Sequence, residues 1–312
     1  MATAEEMREV RTLIEELRGK DKAARLAATH QITRISKVLG SERCRNELLP
    51  YVMEGVTEVE DDEDILVAVA NAFGELELFA ALGDDTHLKM LLAALEPFLT
   101  FDNPNVRDRA VASINKVLAA LPPREMQGDG VSLIRQLAVS EFYGPRVAAP
   151  PLLVGVYALL TQRNPRELDG LRRELRFAFC TLCGDDSPVV RKSAATALSQ
   201  LLPLLQLSEI EGEVYPILQK VCQDSQDSVR ISRLEFSTRH CSCLACPSSL
   251  ILIFQCGVYS RFVAHKQRQH KFSGNVASIR TFSRQVEFSP TVHPHFLLKP
   301  LLKVVARSIH GG

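Results

Sequence analysis

The chain has no tryptophan, and aromatic residues make up only 6% of its 312 positions. So few rings leave the core to aliphatic side chains, which suits stacked Ala- and Leu-rich helices. Histidine is scarce before position 231, where only His30 and His87 occur. Ser/His/Asp and Cys/His catalytic arrangements each need an imidazole base, so neither can be argued there. An iron site built from repeated His-Glu pairs, as in helical-repeat lysine hydroxylases, is excluded as well, because Gln31 and Leu88 follow the two histidines. Gly128-Asp129-Gly130 reads as a turn without the pattern or strand context of a phosphate loop. Four scattered cysteines (Cys44, Cys180, Cys183, Cys222) form no disulfide framework, and Met1-Ala2-Thr3-Ala4-Glu5-Glu6 does not open a secretory leader. Reduced thiols in a cytoplasmic protein, with the nucleus as a second compartment, are the expectation. No apolar run spans a membrane; the longest lies near Leu250–Phe254. No catalytic residue, cofactor, metal, nucleic acid or membrane is therefore expected as part of the activity of residues 1–230.

The formal net charge of zero hides a division. Residues 1–230 carry a net charge of −9 and residues 231–312 a net charge of +9. Six of the eight histidines and half of the cysteines also fall in that last part. Two compositions imply two segments, 1–230 and 231–312.

Within the first segment one motif recurs. Asp185-Asp186-Ser187-Pro188-Val189-Val190-Arg191 is followed by a run of small residues ending at Ala197. Two acids close a loop, Ser187 offers an N-cap, and Pro188 suits the first helical position, where no N–H is needed. The small residues let a second helix approach closely. Weaker copies surround it, and the set aligns on Arg25, Leu66, Arg107, Arg146, Arg191 and Arg230, whose numbers differ by 41, 41, 39, 45 and 39 in turn. A period near forty with helical content is the mark of a helical-hairpin solenoid. The expected fold is all-α: five complete hairpins plus the first helix of a sixth.

The apolar spacing predicts helices over about 5–18 and 21–38, stopped by Gly19 and Gly40. Pro50, Pro97 and Pro216 fall inside first helices of hairpins, where each is expected to bend the helix. Asn164, Pro165 and Glu167 are expected to cap the first helix of hairpin 5. Its buried stripe is expected at Leu168, Leu171, Leu175, Ala178 or Phe179, and Leu182. Ser208-Glu209-Ile210-Glu211 reads as a capping box opening hairpin 6. Pro150-Pro151 falls a turn inside the second helix of hairpin 4, which is expected to start late. Without a cover, Val214, Ile217, Leu218 and Val221 of hairpin 6 would face water, and that hairpin is expected to fray.

Leu13-Ile14-Glu15-Glu16-Leu17-Arg18, Arg45-Asn46-Glu47-Leu48-Leu49-Pro50-Tyr51, Val106–Val111, Asp185–Ala195 and Gln226–Arg230 occur in this order. Together they resemble the HEAT-repeat scaffold (A-type regulatory) subunits of type-2A serine/threonine protein phosphatases, over residues 1–230. The resemblance implies a HEAT-repeat α-solenoid, about five and a half hairpins long, that matches the N-terminal third of a fifteen-repeat scaffold. It further implies a non-catalytic protein that grips a regulatory B-type subunit through its intra-repeat turns. The catalytic subunit's site, on the family's last repeats, would be absent. The family's aspartate-tryptophan-phenylalanine turn is Glu141-Phe142-Tyr143 here. An adaptor that takes basic peptides on the acidic solenoid is the alternative.

Loop tips on a rigid array are its available binding surface. Asp61, Asp62, Glu63, Asp102, Asn103, Phe142, Tyr143, Asp185, Asp186 and Pro188 are therefore the expected partner contacts. Arg107, Arg146, Arg191 and Arg230 recur once per hairpin and are expected to form a structural ladder with acids of neighbouring turns. After Arg230 the helical pattern stops. The basic Cys/Ser/His-rich text that follows reads as a disordered tail or as an artefact of the gene sequence, such as intron read-through. Cys243, Cys246, His265 and His270 give C-x2-C-x18-H-x4-H, too long a gap for a zinc finger, so no metal is assigned.

Overall fold

Thr3 opens the first helix with a capping box: its hydroxyl accepts from the Glu6 N–H, and the Glu6 carboxylate accepts from the Thr3 N–H at 2.7 Å. From that start, a computed structural model describes residues 3–58, 62–163 and 168–232, all within the compact unit Met1–Thr238. Among the described residues every regular element is helical. Hairpin 1 is α1 (Ala4–Glu16) with α2 (Lys22–Thr29) and α3 (Ile32–Leu39). In hairpin 2, α4 (Ser41–Arg43) and α5 (Leu49–Thr57) are followed by α6 (Glu63–Ala72) and α7 (Leu76–Leu82). Hairpin 3 pairs α8 (Lys89–Leu95) with α9 (Pro104–Ala120). Hairpin 4 pairs α10 (Pro123–Glu125) and α11 (Val131–Ala138) with α12 (Tyr143–Arg163). Hairpin 5 pairs α13 (Asp169–Leu182) with α14 (Pro188–Leu201), and hairpin 6 consists of α15 (Leu207–Glu209), α16 (Tyr215–Cys222) and α17 (Asp227–Ser232).

Each second helix packs on the next: α2 on α6, α6 on α9, α9 on α12, α12 on α14, and α14 on α17. This is the solenoid arrangement, in which every hairpin covers its neighbour's apolar stripe. The small residues of the motif explain the close approach, since Ala194, Ala195 and Ala197 are all buried. No single described helix is long and apolar enough to cross a membrane. The bent pair α6–α7 passes on length and composition together, but Ile65, Leu66, Val69, Leu78 and Leu82 bury it in the stack.

Several local expectations need correction. The second helix of hairpin 1 is broken at His30-Gln31. There the Thr29 hydroxyl donates to the Arg25 carbonyl at 2.8 Å, and the Gln31 N–H reaches back only three residues, to Ala28. Such back-bonding competes with the regular ladder and bends a helix. Pro50 and Pro216 follow π-turns at Cys44–Leu48 and Ile210–Val214, where the Leu49 and Tyr215 N–H groups reach back five residues. Pro97 sits in a 3₁₀ turn, Glu96–Leu99. The chain thus widens or tightens where a proline removes a bond. Gly128-Asp129-Gly130 is not a turn between helices but part of a third π-turn, Met126–Gly130.

Pro150 and Pro151 do not delay α12, which begins at Tyr143 and carries both inside it. Pro151 cannot donate to the Val147 carbonyl four residues earlier. Ser193 Oγ of hairpin 5 donates to that carbonyl instead, at 2.7 Å. A neighbouring hairpin completes the helix. Ser193→Ala leaves the Val147 carbonyl without this donor, and urea denaturation is expected to show a loss of about 1 kcal/mol.

Ser187 stands at the N-cap of α14, but its hydroxyl makes no cap bond; Asp185 Oδ1 accepts the Ser187 N–H at 2.8 Å. Hairpin 6 is capped two residues before Ser208, where the Gln206 N–H donates to Glu209 Oε2 at 2.8 Å. Val214, Leu218 and Val221 are buried and Ile217 is half-buried, so none of the four lies open to water. Of the stripe expected in hairpin 5, Leu175, Phe179 and Leu182 are buried, whereas Leu168, at the N-cap of α13, and Leu171 and Ala178 within it are only half-buried. Asn164, Pro165 and Glu167, and the tail with Cys243, Cys246, His265 and His270, lie outside the described residues.

Candidate partner-binding ridge

The turns joining the two helices of each hairpin lie one repeat apart, so a side chain on one can reach the next. A polar tie crosses every step, and its chemistry changes from step to step. From hairpin 1 to 2, Lys22 Nζ meets Asp62 at 3.0 Å and Asp64 at 2.9 Å. Asp62 also caps α6, accepting from the Ile65 N–H. From 2 to 3, both oxygens of Glu63 accept, one from Asn103 Nδ2 at 2.8 Å and the other from Asn105 Nδ2 at 2.6 Å. Asn103 Oδ1 meanwhile caps α9 through the Asn105 N–H. From 3 to 4, the Tyr143 hydroxyl donates to Asp102 Oδ1 at 2.8 Å, a bond that raises the phenol's pKa.

The last two steps are arginine forks. Arg146 grips Asp185 through Nε at 2.8 Å and Nη2 at 3.2 Å. Arg191 grips Asp224 through Nε at 2.7 Å and Nη2 at 3.1 Å. The Arg191 fork holds the Asp224 carboxyl below its usual range. Each guanidinium is also anchored in its own hairpin. Nη1 of Arg107, Arg146 and Arg191 donates to the carbonyl six residues earlier, of Phe101, Ser140 and Asp185, at 3.1, 2.8 and 2.8 Å. Arg230 does the same with Asp224 and also pairs with Asp227.

This geometry sorts the expected contact residues. Asp62, Glu63, Asp102, Asn103 and Tyr143 are tied to a neighbouring turn, though Asp102 and Glu63 keep exposed surface. Asp185 is turned inward, its side chain only 11% exposed against Arg146, so it stands in the ladder rather than on the open edge. Asp61 lies outside the described residues. Phe142, Asp186 and Pro188 project outward, joined by Val139, Glu141 and Val189, which were not among the expected contacts. Phe142 is 73% exposed and Val139 81%. With Val189 they place large exposed apolar side chains on turns 4 and 5. Lys22, Asp64, Asn105 and Asp224 were also missed; each lies close to one repeat away from a ridge residue already singled out, and that spacing could have revealed them.

A second buried cluster ties hairpins 4, 5 and 6. Arg176, almost wholly enclosed, meets Glu209 at 2.6 Å and Glu213 at 2.8 Å, and its Nη1 donates to the Tyr157 hydroxyl at 3.1 Å. The contact lowers the Glu213 pKa. Burial pushes the Cys183 thiol upward, which makes it a poor nucleophile. Among the described residues no group of three His, Cys, Asp or Glu side chains could hold a metal ion.

The HEAT repeat family matches residues 178–205, the stretch that contains the Asp185 motif. A probable phosphatase PP2A regulatory subunit of Caenorhabditis elegans is 30% identical over 234 residues, covering 75% of this chain and 38% of its own length. The A-type PP2A regulatory subunit of Schizosaccharomyces pombe is 31% identical over 222 residues, 71% of this chain and 36% of its own. Over these residues the chain is homologous to the A-type regulatory subunits of PP2A. It spans less than two-fifths of the length of these relatives and fits an N-terminal portion of that scaffold. Among solved structures, a designed armadillo repeat protein matches 73% of this chain and 98% of its own, at 17% identity and a TM-score of 0.34. The helical-hairpin solenoid read from the forty-residue period is the fold observed, and it is of the HEAT-repeat kind that the resemblance implied.

Proposed function

We propose that this chain is a non-catalytic phosphatase scaffold that holds a regulatory B-type subunit against turns 4 and 5. The supporting observation is the open apolar edge formed by Val139, Phe142, Tyr143, Pro188 and Val189, bordered by Glu141 and Asp186. It lies on a chain whose relatives are named regulatory or scaffold subunits of PP2A. The inter-turn ties hold this edge in place before a partner arrives, which lowers the ordering cost of binding. Exposed aromatics at the centre of an interface supply much of its energy, and the acidic border selects a partner with basic residues around its apolar contact.

The test is capture of a B-type subunit, with the catalytic subunit scored in the same experiment. The wild-type chain is expected to retain the B-type subunit without the catalytic one. Phe142→Ser is expected to weaken that capture by roughly tenfold or more while leaving the thermal transition in place, because the ring contacts solvent rather than core. A wild-type chain that retains no B-type subunit, or a Phe142→Ser chain that binds as well as wild type, removes the proposal.

A further inference from the structure

The ladder has an unfilled rung. Arg191 and its aspartate are 33 residues apart, and the residue 33 positions beyond Arg107 is Ser140. Ser140 also occupies the place of Asp185 and Asp224 in its own hairpin, since its carbonyl accepts from Arg146 Nη1 as theirs accept from Arg191 and Arg230. A serine is too short and uncharged to close the fork. Arg107 is only 5% exposed, and its Nε lies enclosed without a hydrogen-bond partner among the described residues. Its Nη1 bond to Phe101 anchors the guanidinium to its own hairpin as in the two closed rungs. A desolvated guanidinium edge with a free donor has a strong demand for an anion.

We infer that this rung takes a carboxylate delivered by the docked partner, an inference that rests on the scaffold reading above. The two closed rungs define the chemistry, because the same fork at the corresponding position holds a carboxylate in each. Asp102, on the Tyr143 hydroxyl at the same step, repels any anion, and a phosphate with a charge of about −2 more strongly than a carboxylate with a single charge. Val139 and Phe142 flank Ser140 in the chain and are exposed. The partner segment that fits is an Asp or Glu beside an apolar side chain, the latter resting on Phe142. Turn 4 would then be completed in trans by the group that turns 5 and 6 carry in cis.

Two measurements test this. In the ¹⁵N-arginine-labelled full chain, the Nε–H resonance of Arg107, assigned with Arg107→Lys, is followed while sodium acetate replaces sodium chloride at constant ionic strength. A saturable shift is expected in wild type and in Ser140→Ala. None is expected in Ser140→Asp, whose own carboxylate fills the rung and raises the melting temperature by about 2–4 °C. No acetate shift in wild type overturns the site. In the second measurement, Ser140→Asp is expected to weaken capture of the B-type subunit by roughly tenfold, and Ser140→Ala to leave it unchanged. Equal capture by Ser140→Asp and wild type overturns delivery by the partner. If wild type captures no B-type subunit, the scaffold reading fails, while the acetate titration still decides whether the rung accepts a carboxylate.

Discussion

Arg176→Met is expected to destabilise the array by about 3 kcal/mol and to release hairpin 6 first. Removing one member of a buried ionic cluster typically costs ~3–5 kcal/mol, because the charges left behind have lost both water and partner. The lower end applies because the Glu213 side chain is 36% exposed and can rehydrate, whereas Glu209, at 13%, cannot do so without local opening. The Tyr157 hydroxyl, in a residue 1% exposed, also loses its donor. The arginine lies on α13, yet two of its partners lie in hairpin 6, so the damage falls on the junction between hairpins. Urea denaturation measures the total, and hydrogen exchange over residues 207–232 measures where it falls. A pH series adds a signature. The Glu213 pKa is lowered in the fold, so its contribution is complete above the ordinary glutamate range and is lost as pH falls through the folded value. That acid-dependent component is expected to vanish in Arg176→Met. A loss below about 1 kcal/mol, or exchange that rises evenly along the chain, would show that the cluster does not hold hairpin 6.

Gly74→Ala is the second large effect, expected at about 2–3 kcal/mol. Gly74 lies at the break between α6 and α7 and is crossed closely by α9. A methyl group there would stand 2.4 Å from Ser113 Oγ, 2.7 Å from Ser113 Cβ and 2.9 Å from Ser113 Cα. The last contact matters most. A side chain can rotate away, but Cα moves only if the helix does, and α9 is packed between α6 and α12. Gly155→Ala makes the comparison. Its methyl would meet Asn115 Oδ1 at 2.1 Å, which is closer but at the end of a rotatable side chain. The loss at Gly155 is therefore expected to be at most half that at Gly74. Equal losses, or a negligible one at Gly74, would show that α9 shifts freely.

The forty-residue period was legible because each hairpin must bury the same stripe against the next. That requirement writes itself into the sequence as recurring apolar and small residues such as Val190, Ala194 and Ala197. The residue types on the ridge were legible for a related reason, since turns between helices call for Asp, Asn, Ser and Pro. Where their side chains point was not. Asp185 and Asp186 are adjacent and alike, but one faces Arg146 and the other faces solvent, and only the register between hairpins decides which. The same blindness applied to α12. Pro151 announces a missing donor, but the replacement comes from Ser193, 46 residues from the carbonyl it completes. Arg172 and Arg176 sit on the buried side of α13, where the apolar spacing calls for leucines. The burial of Arg176 depends on acids supplied by another hairpin, and a helix viewed alone cannot show that.

The changing chemistry of the inter-turn ties gives the hairpins an order as well as a stack. Lysine meets aspartate at the first step, glutamate meets two asparagines at the second, and tyrosine meets aspartate at the third, so a shuffled chain would bring mismatched faces together. Only the closing steps share a common fitting, arginine to aspartate. At those two steps the turn-to-turn fitting is of one kind, so the individuality of hairpins 4, 5 and 6 rests instead on Ser193 at the Val147 carbonyl and on Arg176 with Tyr157, Glu209 and Glu213.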